Sequence, residues 1–138
     1  MKQLSSGFLL EQLIDDITAC KDVAQARQLL SELINFTPNL ERAIECCVIS
    51  HAGQFRKSGE PYAIHPILVA CIVAHMGGDE DMIIAALLHD VVEDTDRSIE
   101  SVREDFGEEV AKLVEGLTKI VAIREDKLAS SESNERLA

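Results

Sequence analysis

No apolar stretch of 18 residues runs uninterrupted through this 138-residue chain, which excludes a membrane-spanning helix. The N-terminus lacks a basic patch leading into an apolar run and a cleavage site. No secretory signal is therefore visible, and a cytoplasmic location is expected. The cysteines at 20, 46, 47 and 71 form no C-x-x-C pair, and Cys46 and Cys47 cannot comfortably bridge to each other. Each lies in a helical apolar pattern, so buried thiols are expected rather than disulfides or zinc thiolates. Positive charge is scarce. With 13 Lys and Arg against 25 Asp and Glu, the net charge is −12, which argues against nonspecific binding to nucleic acid or anionic membranes. Internal repeats are absent, and apolar-polar alternation never exceeds four residues, which removes strands.

What remains is helical periodicity, in enough chain to bury a sizeable core. Phe8 to Ala19 puts Leu9, Leu10, Leu13, Ile14 and Ile17 on one stripe, and Val23 to Phe36 does the same with Ala26, Leu29, Leu30, Leu33 and Ile34. Thr37-Pro38 reads as a cap followed by proline at the first helical position, opening a helix to about Gln54. Lys57-Ser-Gly-Glu-Pro61 marks a loop across 55–64. His65 is expected at or near the cap of the next helix, with Pro66 at its first position and Gly77-Gly78 as its stop. Asp79-Glu-Asp81 puts negative charge on the following N-terminus, and that helix carries Met82 to about Val92. Ser98 caps a short helix to Phe106, and Gly107 separates it from Glu108–Ile120. The expected fold class is an all-α bundle, with 1–37 an N-terminal helical segment ahead of a main domain, 38–138.

Charge is uneven along this framework. Residues 79–109 hold twelve acids against Arg97 and Arg103, whereas 51–70 carry Arg56, Lys57 and Glu60. The most telling stretch is Ala85-Ala-Leu-Leu-His-Asp90 followed by Val91-Val-Glu-Asp94. Residues four apart share a helix face, so His89 and Glu93 point one way with Asp90 and Asp94 beside them. Acids at the mouth of a core cost stability unless a cation or substrate compensates them. Imidazole with carboxylates suits Mn²⁺, Fe²⁺, Zn²⁺ or Mg²⁺. A neighbouring His-Asp pair is expected to share one ion only from a helix end or a distorted turn. The alternative is that His89 caps a helix C-terminus and the acids are solvated surface. His51 reads as structural at a helix end, and His75 as an ordinary helix-end residue.

His89-Asp90 matches the doublet of the HD superfamily of metal-dependent phosphohydrolases. His51-Ala-Gly-Gln, Arg56-Lys-Ser-Gly-Glu-Pro-Tyr62, His65-Pro66, Ala85 to Thr95, Phe106-Gly107 and Val114-Glu-Gly-Leu-Thr-Lys119 occur in that order. Together they resemble the hydrolase domain of the RelA/SpoT family, which makes and degrades the alarmone (p)ppGpp. The resemblance covers about residues 40–120.

It implies an HD-domain helical bundle in which His65, His89 and Asp90 are ligands of one Mn²⁺. Glu93 and Asp94 would position or deprotonate the attacking water. Arg56 would pack against the guanine, with Lys57, Ser58 and Tyr62 as neighbours in the nucleotide pocket. Tyr62 packing within the loop and Ser58 shaping the Ser-Gly turn are the alternatives. The implied reaction removes the 3′-pyrophosphate from (p)ppGpp, giving GDP or GTP and pyrophosphate, in a parent protein that also belongs to the GTP pyrophosphokinase class. The family's fourth metal ligand is an aspartate in a downstream helix that this chain does not reach. The domain is thus expected to be a piece of a larger protein, with weakened metal affinity and exposed apolar surface that invites homodimerisation. Another HD nucleotide phosphohydrolase, or a helical regulatory module without catalysis, are the competing readings.

Overall fold

Asp22, Thr37, Asp79 and Ser98 stand in extended backbone just before a helix. Each accepts a hydrogen bond from the N–H three residues on, at Gln25, Leu40, Met82 and Ser101. These caps satisfy donors that a helix start otherwise leaves open. They set the starts of four helices in a computed structural model that describes residues 6–117. The helices are α1 (Ser6–Ala19), α2 (Val23–Leu33), α3 (Pro38–Ser50), α4 (Ile64–His75), α5 (Glu80–Asp94) and α6 (Ile99–Phe106). A further helix, α7, occupies 108–117. Among the described residues the only β pairing is an isolated antiparallel bridge between Phe55 and Pro61. The chain is all-α, as expected. The expected motif residues Thr118 and Lys119 lie outside the described residues.

The bundle is organised around α5. Ile83 to Leu88 are all buried, more than one full turn, so this helix is apolar all round and must sit inside. It packs against α4 on one side and α3 on another, while α2 covers α4. Ile44 and Cys47 of α3, Ile67 and Cys71 of α4, and Val102 and Val110 beyond α5 complete the core. The segment 1–37 feeds the same core through Leu13, Ala26, Leu29 and Leu30. Leu10 and Ile14, expected on the buried stripe of α1, are instead exposed. Burying one such aliphatic side chain is worth about 1.5–3 kcal/mol. Truncating Leu87 at the centre would cost roughly 2–5 kcal/mol.

Several boundaries differ from the sequence expectation, each for a local reason. α2 ends at Leu33 because Ile34 turns to extended backbone ahead of Thr37-Pro38. α3 stops at Ser50, where His51 is its C-terminal cap and Gly53 adopts φ +83°, a left-handed conformation that suits glycine. His65 is not a cap. The N–H groups of Ile64 and His65 are taken by the carbonyls of Pro61 and Tyr62, so α4 starts two residues earlier. Ala63 is its cap and Pro66 its third residue. The fourth difference, at the end of α5, shapes the site.

Candidate metal centre

The His89-Asp90 doublet sits inside α5, not at its end, because the helix runs on to Asp94. The pair was expected at a helix end or a distorted turn, and the structure places it on regular helix about one turn before the end. A further imidazole-carboxylate contact comes from a neighbouring helix. His89 and Glu93 are stacked at i,i+4, with Nε2 and Oε2 3.5 Å apart. Asp90 Oδ1 is 3.3 Å from His89 Nδ1, and its Oδ2 is 3.7 Å from His65 Nε2 in the first turn of α4. The last turn of α5 contains no basic residue. Acids there face the negative end of the helix dipole, an arrangement disfavoured by about 0.3–1 kcal/mol each at exposed positions.

Protonation follows the same geometry. The hydrogen bond with His89 leads the causes that hold the Asp90 carboxyl below its usual range, against burial. The His89 imidazole is pushed up, first by that hydrogen bond and then by the charges of Asp90, Glu93 and Asp94, while burial opposes. Tyr62 is driven up to about 12, by burial first and then by Asp90 and Asp94, so its phenol remains a donor. It reaches Asp90 Oδ2 at 3.3 Å and Asp94 Oδ2 at 3.4 Å, long contacts in which one hydroxyl faces two carboxylates.

The donor set suits a divalent ion. Ligand atoms of His89, Asp90 and Glu93 all fall within 4.8 Å of one another. Donors held about 2.1 Å from one ion at right angles stand roughly 3 Å apart, so small side-chain rotations close the gap. His89 Nε2 is buried and has no hydrogen-bond partner, an unsatisfied lone pair or proton that a well-packed protein rarely tolerates. Among the described residues no lysine or arginine pairs with Asp90, Glu93 or Asp94. His65, His89 and Asp90 also wall a cleft of about 320 Å³, closed on its other sides by apolar residues such as Val69, Ala85 and Leu113.

The basic residues are placed differently. Arg56 N–H bonds to the Glu60 carbonyl and Gly59 N–H to the Arg56 carbonyl, which makes 55–61 a tight hairpin with Gly59 at φ +97°. Ser58 Oγ donates to the Glu60 carboxylate, so it shapes this turn. Arg56, Lys57 and Ser58 are exposed and line an outer hollow with Phe55 and Tyr62. No contact joins the side chains of Arg56, Lys57 or Ser58 to the acids of α5. Tyr62 is the link, since it lines that hollow and also touches Asp90 and Asp94.

Two further residues belong to this neighbourhood. His51 is fully buried, with Nδ1 2.9 Å from Gln54 Oε1 and its ring centroid 4.9 Å from that of Tyr62. Gln54 Nε2 reaches the Asp94 carbonyl at 3.4 Å. Sequence reasoning assigned His51 to a helix end, where it is, and did not single out Gln54. The available signal was Gln54 between Gly53 and the hairpin, one residue before the pattern breaks.

Comparison with known proteins gives the family. Residues 43–138 match the family described as HD domain. The chain is 52% identical over 97 residues to the guanosine-3′,5′-bis(diphosphate) 3′-pyrophosphohydrolase of Aquifex aeolicus, covering 70% of this chain and 14% of that protein. It is 63% identical over 70 residues to a probable enzyme of that name from Synechocystis, covering 51% of this chain and 9% of the relative. Against the bifunctional (p)ppGpp synthase/hydrolase SpoT of Escherichia coli K12 it is 48% identical over 86 residues, covering 61% and 12%. The chain thus spans only a small part of the length of the relatives it matches.

Proposed function

The chain belongs to the HD domain family, and from that premise we propose that it hydrolyses the 3′-pyrophosphate of (p)ppGpp with a bound Mn²⁺. The names of its relatives support the substrate, and the buried His89 Nε2 without a hydrogen-bond partner, among acids that no lysine or arginine pairs with in the described residues, supports the ion. The observation that carries the proposal is the convergence of His65, His89 and Asp90 on one wall, with Glu93 and Asp94 one turn on. In this reading His65, His89 and Asp90 hold the ion. When bound, it lowers the pKa of water and offsets phosphate charge. Glu93 and Asp94 orient the attacking water and accept its proton at a carboxylate oxygen.

The exposed hairpin supplies the nucleotide side, with Arg56 against the guanine and Lys57, Ser58 and the face of Tyr62 beside it. A pair of opposite charges about 4 Å apart is worth about 4 kcal/mol at an effective dielectric of 20, enough for Arg56 and Lys57 to hold phosphates in an acidic chain. The catalytic domain is 38–138, and a downstream aspartate completes the ligand set. In this reading exposed apolar surface of the chain pairs with a second copy, and the compartment is the cytoplasm. Among the described residues no helix is long and apolar enough to cross a membrane.

The test is pyrophosphate release from ppGpp and from a panel of other nucleotides, with Mn²⁺, by this chain lengthened through a downstream aspartate. Preference for ppGpp is expected. No release from the metal-loaded, lengthened protein would end the proposal, and preference for another nucleotide would reassign the substrate.

A further inference from the structure

Gln54 stands where three parts of the molecule meet. Its backbone N–H bonds to the His51 carbonyl at 3.0 Å, and its own carbonyl accepts the Tyr62 N–H at 2.9 Å. Its side chain spans from His51 Nδ1 at 2.9 Å to the Asp94 carbonyl at 3.4 Å. The amide has one donor end and one acceptor end. With its nitrogen turned to the Asp94 carbonyl, its oxygen faces His51, and the His51 proton is fixed on Nδ1. His51 is in turn buried beneath the ring of Tyr62.

The consequence is mechanical. The hairpin 55–61 is closed by its own backbone bonds and its outer face is exposed. Apart from the Tyr62 phenol, its polar tie to the last turn of α5 runs through Gln54. We propose that Gln54, oriented by His51, is a positioning residue that sets the hairpin and the Tyr62 phenol in register with the carboxylates of Asp90 and Asp94. Gln54 touches neither ion nor nucleotide in this proposal. It rests on the hydrolase reading for its catalytic consequence, but not for its structural one.

The structural consequence has a direct reporter, because Tyr62 is the chain's single tyrosine and tryptophan is absent. Its ultraviolet emission therefore comes from one phenol facing two carboxylates. In Gln54→Glu the contact to His51 is retained, but an oxygen replaces the donor and faces the Asp94 carbonyl. Tyr62 emission is expected to shift towards that of a solvated tyrosine, while the helical circular dichroism is unchanged. In the lengthened protein kcat is expected to fall about tenfold or more with KM within about threefold. The hairpin keeps its nucleotide contacts but presents them out of line with the acids. Gln54→Met serves as a second variant should Gln54→Glu fold poorly, and the same two shifts are expected.

Unchanged Tyr62 emission in both folded variants would overturn the inference whatever the activity. So would a shifted emission with kcat intact. An inactive wild type with a normal emission response would instead count against the hydrolase reading and leave the register role standing. A double cycle with Tyr62→Phe decides the route. If Gln54 acts through Tyr62, the two losses in kcat are less than additive. Full additivity would overturn it.

Discussion

Two acid-rich clusters among the described residues are solved in opposite ways. At α6 and α7, Glu100, Glu108 and Glu115 gather around one guanidinium. Arg103 Nη1, Nε and Nη2 reach them at 2.5, 2.7 and 2.7 Å, and the arginine's pKa is raised accordingly. On α5, Asp90, Glu93 and Asp94 have two imidazoles and a phenol for company and no arginine or lysine among the described residues. The first cluster is complete as it stands and ties two helices together. The second is built from equally acidic residues but leaves room for a cation from outside. Acid clusters alone are uninformative; the missing counter-charge distinguishes a binding centre from a structural knot.

The sharpest way to break this contrast is to remove His89. In the lengthened protein His89→Ala is expected to bring Mn²⁺-dependent pyrophosphate release down to background. Glu93→Gln should lower kcat roughly 10²-fold or more while Mn²⁺ still binds, as measured by titration calorimetry. Next in size is the effect of the ion on stability. Mn²⁺ at a hundred times its Kd should add about 2.7 kcal/mol, read as a higher Tm, and Asp90→Asn should abolish that gain. Arg103→Met is the matched control on the other cluster. Its Tm should fall by a few degrees, and the loss should shrink at high salt because the partners are exposed. Its Mn²⁺ affinity should equal that of the wild type. If Arg103→Met weakened Mn²⁺ binding as much as Asp90→Asn, the two clusters would be one system and the contrast would collapse.

The smallest expected effect separates core from cluster. Burial holds the Cys47 and Cys71 thiols up at about 12, against an ordinary 9.0. The unfolded chain releases those protons first. The contribution of the two thiols to stability is therefore intact below pH 9 and is lost as pH rises from 9 towards 12. Chemical denaturation across that range should show the decline, and Cys47→Ala with Cys71→Ala should lessen it, leaving the part contributed by Tyr62, which is also held up at about 12.

Much of the bundle was legible from short-range rules. Thr37-Pro38, Asp79 and Ser98 begin helices where capping chemistry puts them, and Gly77 and Gly107 follow helix ends in positive-φ conformations. The misjudged points are those where tertiary context outweighs local preference. Negative charge at a helix C-terminus argues for stopping α5 near Val92, yet the helix runs on to Asp94 and carries the acids on a regular frame. His65 looked like a cap because proline follows it, but carbonyls of the preceding turn take over that task and leave the imidazole free to face Asp90. The i,i+4 spacing of His89 and Glu93 was legible because those two, with Asp90 and Asp94, lie within one helix. The Gln54–Asp94 contact was not, since it joins positions 40 apart through a side chain with no helical period.

Placing two of the three proposed ligands and the proposed base on one rod has a kinetic consequence. His89, Asp90 and Glu93 belong to a helix whose preceding turns are sealed in the core, so thermal motion displaces them together and preserves their mutual spacing. His65 rides on a separate helix. Sliding of α4 along α5 therefore changes only its distance to the other three. In the proposed site, ion exchange should then begin with detachment of His65, at a rate governed by slippage between two packed cylinders and not by unravelling of either.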